Sequence, residues 1–412
     1  VKIGWVSVSP WAKTGYGRVT RDVVSRLLEK HEVTCIGHES DVIVWGGKKE
    51  LALPNGKVVT TLVMRNPLVD QAGATDMVRV YAHKYGFDIL IGLWDLFALG
   101  FMKGIGTPFV DYVPVDGPMT QKWFNYTEGA QKIVAYSRFG FDELSKFAAP
   151  SRLGYVPHGV DCRAFRPLGR DKKELREMIS AKANKPVPKD AFLFINTAAN
   201  YGARKHLPLM LRTFASFVRK HPSHLYLHTN VHIDAPNGYD LPTLINSLGI
   251  SENVSYPTYD PIIEPVEDEE FAQLYNAGDA YITDSVGEGF GMPVLEAMAC
   301  GIPAIAPNNT SMPELVGDHG WLVDNVPEDV YMDYPIYVPT LQANPVPDQR
   351  RMYAAMQEAM ENILLREEYG RKSREFALTY DWGKTMPKWF SMLDDVAEDI
   401  ELRHEIREVF KQ

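Results

Sequence analysis

Short apolar runs bounded by Gly, Pro, Asn or Asp alternate with segments of helical periodicity along nearly the whole chain, a pattern that leaves little besides a parallel α/β fold. The first series opens with Lys2 to Ser9 and a helical pattern from Arg18 to Lys30, whose Val19, Val23, Leu27 and Leu28 share one face. Strands are then expected at Val33 to Gly37, Val42 to Trp45, Val58 to Val63, Ile89 to Leu93, Phe109 to Val115, Lys132 to Tyr136 and Gly154 to Val156. Between Asp161 and Lys189 the chain turns charged and Pro-containing, as an interdomain connection does. A second series follows, with strands at Phe192 to Thr197, Leu225 to His228 and Tyr281 to Thr283, and helices at His206 to Lys220, Phe271 to Ala277 and Pro293 to Ala299. Pro327 to Pro347 has no periodicity and reads as a loop reaching toward a ligand or the other domain. From Arg350 onward the pattern is helical, with Trp382, Trp389 and Phe390 as apolar anchors. A chain of 412 residues holds two or three such domains.

Charge and cysteine usage narrow the function. A net charge of -10 argues against a nucleic-acid partner, because phosphate neutralisation needs a basic face. Cys35, Cys162 and Cys300 are odd in number and show no C-x-x-C pairing, so a reducing, cytoplasmic location is expected. No run approaches the roughly 18 apolar residues of a membrane span, which leaves only peripheral membrane contact. Val1 to Trp5 reads as a first core strand rather than a leader.

The chemistry concentrates between Asp284 and Pro303, where a strand ends, a Gly-rich turn follows and a helix begins. Pro293 suits the first helical position, so amides near Gly291 and Met292 are expected to point out of the helix end, where the dipole favours a phosphate or diphosphate. Glu296, placed in the first turn, can accept hydrogen bonds from a vicinal diol such as ribose, while Glu288 lies before the turn, nearer the far end of a ligand. Helix capping is the plain alternative for both acids.

The run from Glu288 through Gly289, Phe290, Gly291, Met292 and Leu295 to Glu296, within E-G-F-G-M-P-V-L-E-A-M-A-C-G-I-P, resembles the signature of the family 4 retaining glycosyltransferases of group 1. Asn196 to Lys205 is similar to that family's donor loop, Val156 to Asp161 to its P-x-G-V-D element, and Ala135 to Ser137 to a strand end. The resemblance implies a GT-B fold, with two Rossmann-like domains facing across a cleft. It places an acceptor domain at 1–165, a donor domain at 166–384, and a final helix at 385–412 packing back on the first, with Trp389, Phe390 and Leu393 buried there. It implies transfer of a hexose from a nucleotide-diphosphate sugar to a glycan or other hydroxyl acceptor, through front-face displacement and with no cofactor. The overall likeness also resembles the branch encoded by large algal viruses, which implies GDP-mannose as donor; a UDP-sugar transferase, or an epimerase or hydrolase of the same fold, is the alternative.

The same resemblance assigns residues to the diphosphate. The family clamps it with an arginine and a lysine; Lys205 matches, while the usual arginine place holds Asn200, so Arg204 or Asn200 takes that part. Adjacent Arg204 and Lys205 otherwise read as a solvated helix start. The loop from Ser9 to Arg18 resembles the acceptor loop, with Gly15 and Tyr16 on the acceptor side and Gly17 offering amides to the donor phosphate. Its Gly15-x-Gly17 lacks the third glycine of a dinucleotide fingerprint. Asp116 stands where the family often has a His-Asp pair, but Val115 occupies the histidine place, so Asp116 either meets substrate hydroxyls or caps a turn. His158 is assigned to the acceptor side, with a structural role as the alternative. No D-x-D and no zinc-like His/Cys spacing occurs, so no metal site is expected.

Overall fold

The computed structural model describes the whole chain except residues 13, 39–46, 54, 201, 230–237, 262–263, 265, 328–335, 338–342 and 412, and the side chains of 336, 337, 343, 403, 404 and 406–411. The expected strand Val42 to Trp45 lies outside the described residues. The chain divides into two compact units, one of residues 1–115, 119–158 and 383–412, the other of 116–118 and 159–382. The division falls at His158, seven residues before the expected 165, because Val160 already bonds into the second unit: its N–H donates to Tyr380 O at 2.9 Å.

The first unit is built on eight strands: β1 (Lys2–Val8), β2 (Glu32–His38), β3 (Lys48–Ala52), β4 (Val58–Met64), β5 (Ile89–Leu93), β6 (Phe109–Val113), β7 (Lys132–Ala135) and β8 (Leu153–Tyr155). They lie in the order β3-β4-β2-β1-β5-β6-β7-β8, parallel throughout except for β3 at the edge, which is antiparallel to β4. β5 and β6 are buried at every residue, as expected where both faces of a parallel sheet are covered. The charged edge strand β3 escaped the sequence pattern because Lys48, Lys49 and Glu50 carry no apolar alternation. The first helix runs Gly15–Leu27, starting three residues before the expected Arg18 because Thr14 caps it: the Thr14 hydroxyl accepts from Gly17 N–H at 3.2 Å.

The final helix, Trp382–Lys411, carries Pro387 inside it and belongs to the first unit from Gly383 onward. Trp389 is fully buried, its ring 4.6 Å from that of Tyr112 and 5.6 Å from that of Trp5. Leu393 is buried as expected, but Phe390 is only half-buried, lying beside His31 with the Lys30 ammonium over its ring.

The second unit holds a six-stranded sheet of β9 (Phe192–Asn196), β10 (Ser223–Leu227), β11 (Val254–Ser255), β12 (Ala280–Ile282), β13 (Ala304–Pro307) and β14 (Trp321–Val323). All are parallel, in the order β11-β10-β9-β12-β13-β14. The chain winds outward from β9 to β11 and then crosses to β12 on the other side of β9. This reversal opens a crevice beyond the carboxyl ends of β9 and β12, where ligands bind in doubly wound sheets. The charged stretch expected as a connection contains instead a helix, Lys172–Ser180, with Leu175 and Arg176 buried and the Arg176 guanidinium on Asp279 at 2.7 Å. Within the expected loop 327–347, two short strands, β15 (Ile336–Tyr337) and β16 (Ala343–Asn344), pair antiparallel.

Trp389 anchors the final helix in the first unit, so Trp389→Ala is expected to lower unfolding free energy by ~3–5 kcal/mol, the range for emptying a buried aromatic site. Denaturant unfolding of the two proteins checks this.

Candidate active site

The loops after β9 and β12 bring three expected residues into one cluster. After β9 the chain makes a single 3-10 turn, Ala203–Lys205, and turns sharply at His206, which holds φ at 55°. After β12 it runs through Asp284 and Ser285 to Glu288. The Glu288 carboxylate is held from both sides, by Lys205 Nζ at 2.5 Å and Arg204 Nη1 at 3.1 Å. Arg204 also donates to Gly287 O at 2.6 Å, and its Nε lies 3.4 Å from the Asp116 carboxylate, which the division places in this unit.

Burial drives the Glu288 carboxyl upward, yet the Lys205 ammonium and Arg204 guanidinium outweigh it and bring the group from its ordinary 4.5 to about 2. Burial and the adjacent Arg204 push Lys205 down, against the pull of Glu288. The result is a carboxylate that stays charged between two basic side chains.

Backbone strain marks the same place. Among the described residues, only His206 and Thr310 are non-glycine residues with positive φ, at 55° and 46°. Thr310 Oγ1 accepts the Glu288 N–H at 3.0 Å, and Ser311 Oγ lies 2.9 Å from Glu288 O and 2.8 Å from Phe290 O, its one proton shared between them. His206 Nδ1 lies 3.0 Å from the fully buried Asp284 carboxylate, which also accepts from Gln349 Nε2 at 3.0 Å. Strain of this kind persists where surrounding structure over-determines it, and it gathers at functional sites. Asp284, Thr310, Ser311 and Gln349 were missed by the sequence reading, since none belongs to a spacing that announces it.

The helix after the turn begins at Met292, with Gly291 as its left-handed cap at φ 97°, so Pro293 is its second residue and not its first. The positive φ is what favours glycine here, and a Cβ would in addition displace the Met312 methyl, 2.3 Å away. Leu295 is fully buried and its N–H bonds Gly291 O, so its place is in the core beneath the turn. Glu296 is the fifth residue of this helix and lies past the first turn; its Oε2 accepts from Tyr275 OH at 2.9 Å. Gly289 and Phe290 are buried in the turn itself, and Met292 is half-buried.

Other expected residues fall elsewhere. Asn200 is buried with both ends of its amide on the Tyr239 main chain, Nδ2 to Tyr239 O at 2.8 Å and Tyr239 N–H to Oδ1 at 3.0 Å. That leaves Arg204 as the guanidinium beside Lys205. In the first unit, Gly17 is required by packing: a Cβ there would come 2.1 Å from Ala12 O, and its own amide serves Thr14. Gly15 is exposed and Tyr16 half-buried, while Lys13 of that loop lies outside the described residues. His158 is buried in an aromatic cluster of the first unit, stacked on Tyr136 at 4.1 Å, with Nδ1 2.8 Å from Tyr112 OH. Tyr112 OH donates to Val156 O at 2.9 Å, so the proton of the shared contact lies on His158 Nδ1. Burial brings this imidazole down to about 3, which keeps it neutral within the aromatic cluster.

The charge pattern makes a pH-dependent prediction. A carboxylate with a depressed folded-state pKa stabilises the fold above its unfolded value and ceases to as pH falls through the folded value. Glu288→Gln is therefore expected to cost about 1–3 kcal/mol at neutral pH. The gap from the native chain should hold down to pH 4.5 and close toward about pH 2. Denaturant titrations at a series of pH values check it.

Comparison with known proteins places this geometry. Residues 176–333 match the family described as Glycosyl transferases group 1. The chain is 49% identical to O-antigen chain mannosyltransferase B of Escherichia coli over 65 residues, 16% of each chain. It is 29% identical to MMP alpha-(1->4)-mannosyltransferase of Mycolicibacterium hassiacum over 215 residues, 49% of this chain and 45% of that protein. The matches thus span less than half the length of these two curated relatives. Sucrose-phosphate synthase from Thermosynechococcus elongatus superposes with a TM-score of 0.72 at 15% identity, covering 100% of this chain and 99% of that one. The match to the Glycosyl transferases group 1 family over residues 176–333 thus lies in a chain with the GT-B fold.

Proposed function

We propose that the protein is a retaining hexosyltransferase that moves a hexose from a nucleotide-diphosphate sugar to a hydroxyl of a glycan or glycoconjugate. The observation that carries this reading is the Glu288 carboxylate held by Arg204 and Lys205 at the crevice beyond β9 and β12. Two cations there meet a diphosphate and spread over its charge as the bond to the sugar breaks, so no metal is assigned to that task. The main chain from Gly289 to Met292, at a helix start, lines the same anion. Glu288, ionised and aimed at those cations, orients the sugar hydroxyls and favours the positive charge that develops at the anomeric carbon. Glu296, braced by Tyr275, holds the ribose. Asp116, 3.4 Å from Arg204 Nε, is assigned to the substrate hydroxyls. Gly15 and Tyr16 are assigned to the acceptor. The donor we assign is GDP-mannose; the mannosyltransferase names of the two relatives support the sugar.

A panel of GDP- and UDP-sugars with an oligosaccharide acceptor and EDTA tests the reading. Transfer from GDP-mannose with the anomeric configuration kept is the expected result. Hydrolysis or epimerisation without use of the acceptor, or a requirement for divalent ion, would overturn it.

The assigned roles make separate kinetic predictions. Lys205→Ala should weaken nucleoside diphosphate binding by ~1.5–3 kcal/mol, the value of a charge-assisted hydrogen bond. Glu296→Ala should raise the donor KM with a smaller change in kcat, and Glu288→Ala should mainly lower kcat. Steady-state kinetics alongside thermal melts read the split. Activity lost only in proportion to early melting would assign both acids to helix capping.

A further inference from the structure

Between β14 and the helix Gln349–Glu361 the second unit makes an excursion whose base is closed by main-chain bonds, Val326 N–H to Val346 O and Asp348 N–H to Asp324 O, each 2.9 Å. Asn325 and Pro347 form an antiparallel bridge between them. Further out, β15 lies against the Ala203–Lys205 turn, and its partner β16 carries Asn344. This brings a residue 139 positions beyond Lys205 in the chain to the same cluster.

Asn344 is 2% exposed, and its Nδ2 donates to Asp116 O at 2.7 Å. That bond fixes which end of the amide is which, since the opposite orientation would set one carbonyl oxygen against another. Oδ1 is then a buried acceptor without a hydrogen-bond partner among the described residues. Space for the amide comes from Gly287, where a Cβ would lie 2.3 Å from Asn344 Nδ2 and 2.1 Å from Asp116 O. Gly287 immediately precedes Glu288, and its carbonyl accepts from Arg204. An acceptor left bare and buried costs free energy, and a hydroxyl brought by a ligand supplies the donor it lacks.

We propose that Asn344 is a specificity-determining residue whose Oδ1 accepts a hydrogen bond from a hydroxyl of the transferred sugar. The proposal rests on the reading of this cluster as a nucleotide-sugar site. The groups around it divide the work: Arg204 and Lys205 carry the charge of the diphosphate, and Glu288 answers charge at the anomeric carbon. A neutral acceptor clamped at one end has no part in either task, but it distinguishes sugars by whether a hydroxyl points at it. Removal of that hydroxyl leaves the amide bare again, so the site penalises the wrong sugar through an unmade bond.

The test measures, by calorimetry, binding of the native chain and Asn344→Ala to free GDP and UDP, to the intact nucleotide sugar, and to donors each lacking one sugar hydroxyl. The native chain should bind one deoxy donor about tenfold more weakly than the intact donor, the worth of one hydrogen bond. Asn344→Ala should bind the intact donor about tenfold more weakly, no longer distinguish that deoxy donor, and keep the native affinity for the free diphosphate. Should Asn344→Ala melt early, Asn344→Gln, which moves the amide by one methylene, is expected to lose the same discrimination. Equal loss for free diphosphate and donors, or a defect confined to the acceptor KM, would overturn the proposal while leaving the nucleotide-sugar reading intact. A native chain that binds no nucleotide at all would overturn both.

Discussion

Holding one carboxylate between two cations at the carboxyl edge of a parallel sheet constrains everything around it. Burial alone would drive Glu288 to its neutral form, and an ammonium and a guanidinium as close as Lys205 and Arg204 would repel without it. Each charge is therefore tolerable because of the others. The rest of the second unit meets the geometric demands of that arrangement: a left-handed His206 turns the chain from the cationic pair into its helix, and a left-handed Thr310 catches the Glu288 amide. Ser311 ties the carbonyls on either side of Gly289. Fully buried Asp284 joins the His206 corner to Gln349 at the start of a distant helix.

Much of this was legible in the chain because it is local. Glu288 and the turn that follows are marked by a run of glycines and a proline, whereas Lys205, just before an apolar helix, was singled out only through the family resemblance. The strands were legible where they are apolar on both faces, as in Ile89–Leu93, and illegible where they are charged, as in Lys48–Ala52. Strand order was not legible at all, and with it went the crevice beyond β9 and β12. Glycine proved an ambiguous signal: Gly291 is needed for a left-handed cap, while Gly17 is needed only for close packing on Ala12. Asn200, Asp284 and Asn344 depend on partners 39, 65 and 228 positions away, and no pattern in a single sequence records such pairings.

The first unit shows the opposite balance. Its sheet is larger and its described centre is aromatic and neutral, with Trp5, Tyr112, Tyr136, His158 and Trp389 packed together and the His158 imidazole kept uncharged by burial. The sequence left His158 between an acceptor-side and a structural role, and in the fold its ring stacks on Tyr136. In the second unit, by contrast, an ion cluster of Arg204, Lys205, Glu288 and Asp116 lies beyond the ends of its strands.

The central claim is that Glu288 and an incoming diphosphate share the same two cations. Calorimetric titration of free nucleoside diphosphate into the native chain and Glu288→Gln tests it most directly. Removal of the carboxylate charge frees Arg204 and Lys205 for the anion, so Glu288→Gln is expected to bind the diphosphate several-fold more tightly while losing turnover. Unchanged or weaker diphosphate binding by a folded Glu288→Gln protein would contradict the account.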